Sequence, residues 1–76
     1  GEAAPGEYCW RDLVGLTVVS ADRTTIGVVD HLIDSPAHDI LVIATDHGDV
    51  LIPYVDQYVT QVDLARGELL VDWQET

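Results

Sequence analysis

Positive charge is what this 76-residue chain has least of: Arg11, Arg23 and Arg66 are its only basic residues, against 14 acidic ones, for a net charge of −11. Phosphate backbones are bound chiefly by cations that displace condensed counterions, so direct contact with DNA or RNA is disfavoured. The same field attracts basic proteins and speeds their encounter at low salt. Cysteine is nearly absent as well. Cys9 stands alone, which excludes an internal disulfide and suits a reducing, cytoplasmic setting. No stretch approaches the roughly 18 uninterrupted apolar residues of a membrane-spanning helix, and no basic start leads into an apolar signal core. Glycines are scattered, with Gly15, Gly27, Gly48 and Gly67 each isolated, so there is no phosphate-cradling loop. His31, His38 and His47 each lie near an aspartate, yet none of these sets has zinc or calcium spacing. Cys9 has aromatic neighbours and one nearby arginine, which does not make an activated nucleophile. No cofactor, no metal and no catalytic residue is expected.

What is abundant is apolar sequence in short, interrupted runs. The densest stretch, 40–55, is split by Asp46, His47, Gly48 and Asp49, residues that cap their own backbone or tolerate positive φ, and it reads as a β-hairpin. Both of its faces are apolar. Ile40, Val42 and Ala44 alternate with Leu41 and Ile43, and Val50, Ile52 and Tyr54 alternate with Leu51, Pro53 and Val55. A strand wetted on one side alternates with polar residues, so this hairpin needs cover on both sides, from the rest of the domain or from a partner.

Two further hairpins flank it. Leu16–Ser20 and Ile26–Ile33 surround the polar turn 21–25, with Gly27 inside the second strand, where a missing side chain marks a bulge, a bend or a close backbone approach. The alternations Thr60, Val62, Leu64 and Leu69, Val71, Trp73 surround the turn at Ala65–Glu68. Segment 55–59 lacks strand alternation and is too short for a full helix, which predicts one helical turn. The expected fold is all-β: a small six-stranded antiparallel β-barrel, closed or nearly so, with one short helical turn. A chain this short buries only about 60% of its extended surface, so it makes one domain with a thin stability margin. The predicted boundaries are a flexible linker over 1–7 and the folded domain over 8–76, with Tyr8 and Trp10 at the junction in need of cover.

Several segments, in order, resemble a known family: Tyr8-Cys9-Trp10-Arg11-Asp12-Leu13-Val14-Gly15-Leu16, Ile26-Gly27-Val28-Val29, His38-Asp39-Ile40-Leu41-Val42-Ile43, Leu51-Ile52-Pro53-Tyr54-Val55, Val62-Asp63-Leu64 and Val71-Asp72-Trp73. Together they resemble the C-terminal PRC-barrel domain of the ribosome maturation factor RimM. Cys9 departs from the family, which often has a second aromatic there. The resemblance implies a PRC-type barrel that follows an N-terminal domain in a two-domain protein. It also implies a non-enzymatic role in small-subunit assembly and maturation of 16S rRNA. The implied partners are the head of the small ribosomal subunit, ribosomal protein nineteen of that subunit, and the protein's own N-terminal domain, with little nucleic-acid contact and no membrane. On this reading Tyr8, Trp10, Asp12, Ile52, Pro53 and Tyr54 are the expected docking residues. The alternative is a free-standing barrel that holds a small ligand or metal through its histidines and aspartates.

Overall fold

The computed structural model describes residues 8–73, so the linker expected over 1–7 lies outside the described residues. One helical turn, α1 (Trp10–Leu13), precedes six strands: β1 (Thr17–Ser20), β2 (Thr25–Ile33), β3 (Ile40–Thr45), β4 (Gly48–Pro53), β5 (Val59–Asp63) and β6 (Glu68–Val71). The three hairpins read from turn chemistry and alternation are all present, pairing β1 with β2, β3 with β4 and β5 with β6. Gly48 at φ +113° and Gly67 at φ +69° supply the left-handed backbone of two of the turns.

The sheet order is β4-β3-β2-β1-β6-β5, and one joint departs from the expected all-antiparallel arrangement. β1 and β6 run parallel, with Thr17 opposite Glu68 and Ser20 opposite Val71. The sheet is therefore mixed. It is also not closed, because β4 and β5 end the strand order without pairing to one another. Between these edge strands the chain makes a turn, with Val59 N donating to Val55 O (2.8 Å), while Tyr54 N donates to Asp39 O (2.9 Å) ahead of β3 and Asp72 N to Tyr58 O (2.7 Å) beside β5. Segment 55–59 is thus a hydrogen-bonded turn, while the one assigned helical turn lies at Trp10–Leu13. There the Asp12 carboxylate accepts from Cys9 N (3.3 Å), half of the reciprocal arrangement that starts many helices.

The concave side holds one apolar cluster fed by every strand and by α1. Leu13, Val18, Val29, Leu41, Ile43, Ile52, Val59, Val62, Leu69 and Val71 meet there. Among the described residues the buried side chains are aliphatic apart from Tyr54, which brings a hydroxyl into the core, and no charged side chain is buried. Coiling of β2 over β3 depends on Gly27. A Cβ at that position would lie 2.2 Å from Ala44 O, so the close backbone approach expected of this glycine is what the fold uses.

Candidate protein-docking surface

The residues expected to dock a partner gather at one end of the sheet. α1 seats Leu13 in the core and leaves Trp10 about two-fifths exposed (41%). Trp10 Nε1 donates to Asp39 Oδ2 at 2.7 Å. Asp39 in turn accepts Tyr54 N through its carbonyl, so a single residue ahead of β3 ties α1 to the end of β4. Tyr8 is half-buried against the core, and Asp12 is exposed. Pro53 is half-buried opposite Ile40. Ile52 (0% exposed) and Tyr54 (7%) lie inside the core, because their strand positions point to the concave side. Their side chains hold the end of β4 in place and offer no contact area. Asp39 stands in one of the family-like segments but is not among the expected docking residues, because local sequence does not show which aspartate faces Trp10.

The convex side of β2, β3 and β4 carries the larger feature. Successive outward rungs are Ile33–Ile40–Pro53, His31–Val42–Leu51 and Val28–Ala44–Asp49. Only His31 and Asp49 in this block are polar. Leu51, Val28 and Ile33 are each between 41 and 49% exposed, whereas Val42 at the centre is covered by its neighbours without joining the core cluster. This is the second apolar face that the central hairpin's alternation requires, and β2 extends it through Val28 and Ile33.

Charge is distributed unevenly around this face. Asp30, Asp34, Asp46 and Asp49 are exposed at its borders, and Asp30 Oδ2 contacts His31 Nδ1 at 2.6 Å. Arginine gathers at the β1–β2 and β5–β6 turns instead, where Glu68 receives Arg23 (3.3 Å) and Arg66 (3.5 Å). In the β1–β2 turn, hydrogen bonds from the Ser20 and Thr24 side chains and from Thr24 N hold the Asp22 carboxyl down at about 2. The histidines are dispersed: His38 Nδ1 lies 3.2 Å from Asp39 O, and His47 is exposed in the β3–β4 turn. Among the described residues no group of three or more His, Cys, Asp or Glu side chains could hold a metal ion. No helix among them is long and apolar enough to cross a membrane.

A coiled six-stranded sheet around an apolar core, with an acidic exterior and one apolar convex face, defines a small barrel-like β-domain. More particularly, the chain belongs to the RimM PRC barrel domain family, which it matches over residues 10–76. It is similar to the ribosome maturation factor RimM of Chromobacterium violaceum, 51% identical over 73 residues that cover 95% of this chain and 43% of that protein. The ribosome maturation factor RimM of Neisseria meningitidis serogroup B is 46% identical over 67 residues, covering 88% of this chain and 40% of that protein. Among solved structures, the crystal structure of a 16S ribosomal RNA processing protein RimM from Pseudomonas aeruginosa superimposes with a TM-score of 0.83 at 39% identity. The match covers 91% of this chain and 45% of that one. The chain thus spans less than half the length of the relatives it matches.

Proposed function

We propose that this chain is the docking domain of a non-catalytic, cytoplasmic assembly factor that binds the head of the immature small ribosomal subunit. Its partner there is the basic ribosomal protein nineteen, and the contact supports maturation of the subunit and of its 16S rRNA. An N-terminal domain of the same protein supplies any RNA contact. Kinship carries this reading: relatives up to 51% identical bear the name ribosome maturation factor. The net charge of −11 agrees with a cationic protein partner and opposes direct binding to rRNA. Trp10, Tyr8, Asp12 and Pro53 supply contacts at the α1 end, with Ile52 and Tyr54 positioning them from within.

Calorimetric titration of the full-length protein against small subunits and against purified protein nineteen, at graded salt, tests the proposal. Binding that weakens steadily as salt rises is the expected result, because exposed charges are screened beyond about 10 Å at 0.1 M salt. No heat of binding at low ionic strength overturns it.

A further inference from the structure

We infer that the convex face of β2, β3 and β4 is the surface on which the domain is held, and that its occupant is a cationic protein segment presenting aliphatic side chains. This rests on the functional reading above and adds to it a face whose exposed apolar residues are Leu51, Val28 and Ile33, and which meets the α1 end only at Pro53.

Size is the first support. Three strands about 4.8 Å apart and rungs spread over four residues at about 3.4 Å each span roughly 10 by 14 Å between backbones. Side chains widen this to on the order of 300 Å², the scale at which an exposed apolar patch on a small domain is commonly functional. It would form the centre of an interface whose polar rim brings each partner to about 800 Å².

Charge selects the occupant. The face is bordered by Asp30, Asp34, Asp46 and Asp49, and β2, β3 and β4 contain no arginine or lysine. A second copy of this chain would set those carboxylates against their own counterparts, each copy carrying −11, and like charges facing each other across an interface are strongly unfavourable. A partner with lysine or arginine around aliphatic residues meets the apolar centre and neutralises the rim together.

The free edge of β4 limits how that partner can approach. Pro53 has no N–H, and Asp49 places a carboxylate on the same strand. Both discourage addition of a strand along β4. Contact is therefore through side chains laid over the face.

The test uses the full-length protein and purified small ribosomal subunits, with binding followed by co-sedimentation. Leu51→Glu and, separately, Ile33→Glu place a charge on the face at positions already 49% and 41% exposed. Leu64→Glu, at a 46% exposed site next to the β5–β6 turn, is the matched control. Circular dichroism and the urea midpoint verify that all three remain folded. The expected result is at least tenfold weaker binding for both face variants and less than a twofold change for Leu64→Glu. Face variants that bind like the wild type, while Trp10→Ala loses binding, overturn the inference and leave the functional reading standing. Wild-type protein that does not bind at low salt overturns both. Two other results overturn the assigned occupant: a dimer by sedimentation equilibrium that Leu51→Glu dissociates, or hydrogen-exchange protection of Leu51 and its neighbours by the rest of the full-length chain before any subunit is added.

Discussion

Gly27→Ala is the sharpest perturbation this fold offers. A Cβ there would lie 2.2 Å from Ala44 O, 3.0 Å from Ala44 C and 3.0 Å from Ile43 Cγ2. Ordinary C–H···O contacts need about 3.3 Å, so the overlap is about 1 Å and is made mostly with backbone, which cannot rotate away. Relief requires β2 to lift from β3 next to the Val28–Ala44 pair. Overpacking of this kind costs about 1–3 kcal/mol, and one weakened ladder hydrogen bond adds about 1 kcal/mol. A total near 3 kcal/mol is a large share of the roughly 4–11 kcal/mol available to 76 residues. Urea unfolding followed by tryptophan fluorescence measures it. With a slope of about 1 kcal/mol per molar for so small a domain, the midpoint should fall by about 3 M, or the variant should be unfolded in buffer. Gly15→Ala is the contrast: Gly15 has φ +93° but nothing within 4 Å of its Cβ position. Only backbone strain of about 1 kcal/mol is at stake there. A Gly27→Ala midpoint within about 0.5 M of wild type would refute the account of how the sheet coils.

Three other outcomes are expected. Leu69→Ala, at a fully buried site where β6 meets both β1 and β5, should lose about 2–5 kcal/mol, whereas exposed Leu64→Ala should lose less than about 0.5 kcal/mol in the same denaturation assay. Trp10→Phe removes the indole donor to Asp39 at a cost of about 0.5–1.5 kcal/mol, and should speed amide exchange at Val14, whose N–H bonds Trp10 O, with the strand amides unchanged. The Asp22 carboxyl titrates at about 2 in the folded chain against an ordinary 3.8, so its contribution is fully present above about pH 4 and fades as pH falls toward 2. Asp22→Asn should flatten the acid limb of stability over that window, which thermal melts between pH 2 and 5 would reveal.

Local chemistry made the strands and hairpins legible. Asp46 to Gly48 had to turn, Leu41 and Ile43 had to alternate with Ile40 and Val42, and Gly27 had to mark a close approach; the structure places each accordingly. Partner choice between distant strands was not legible, since alternation reports that a residue faces the core and not which neighbour lies beside it. The parallel β1–β6 joint pairs Thr17 with Glu68, and no local signal encodes that. Lack of alternation predicts a helical turn at 55–59, between β4 and β5, whereas the helical turn lies ahead of β1 at Trp10–Leu13, where Asp12 stands three residues past Cys9. Of the docking residues, Trp10 and Pro53 reach the exterior and Ile52 and Tyr54 do not. The convex face was implicit in the two-sided apolarity of 40–55, but its extension through Ile33 and Val28 required knowing that β2 lies alongside β3.

The parallel seam between the first strand and the last also sets the order in which the domain can be born. As the polypeptide leaves the translating ribosome, β1 to β4 can zip together from neighbouring hairpins, yet the flank of β1 stays bare until the segment reaching Val71 has emerged. Until then Val18 and its inward neighbours lack the lid that Leu69 provides, and completion waits on the longest-range closure in the molecule. Folding of this domain therefore waits for its last strand, and a chain stalled before its final hairpin should be a target for chaperones or proteases rather than a working fragment.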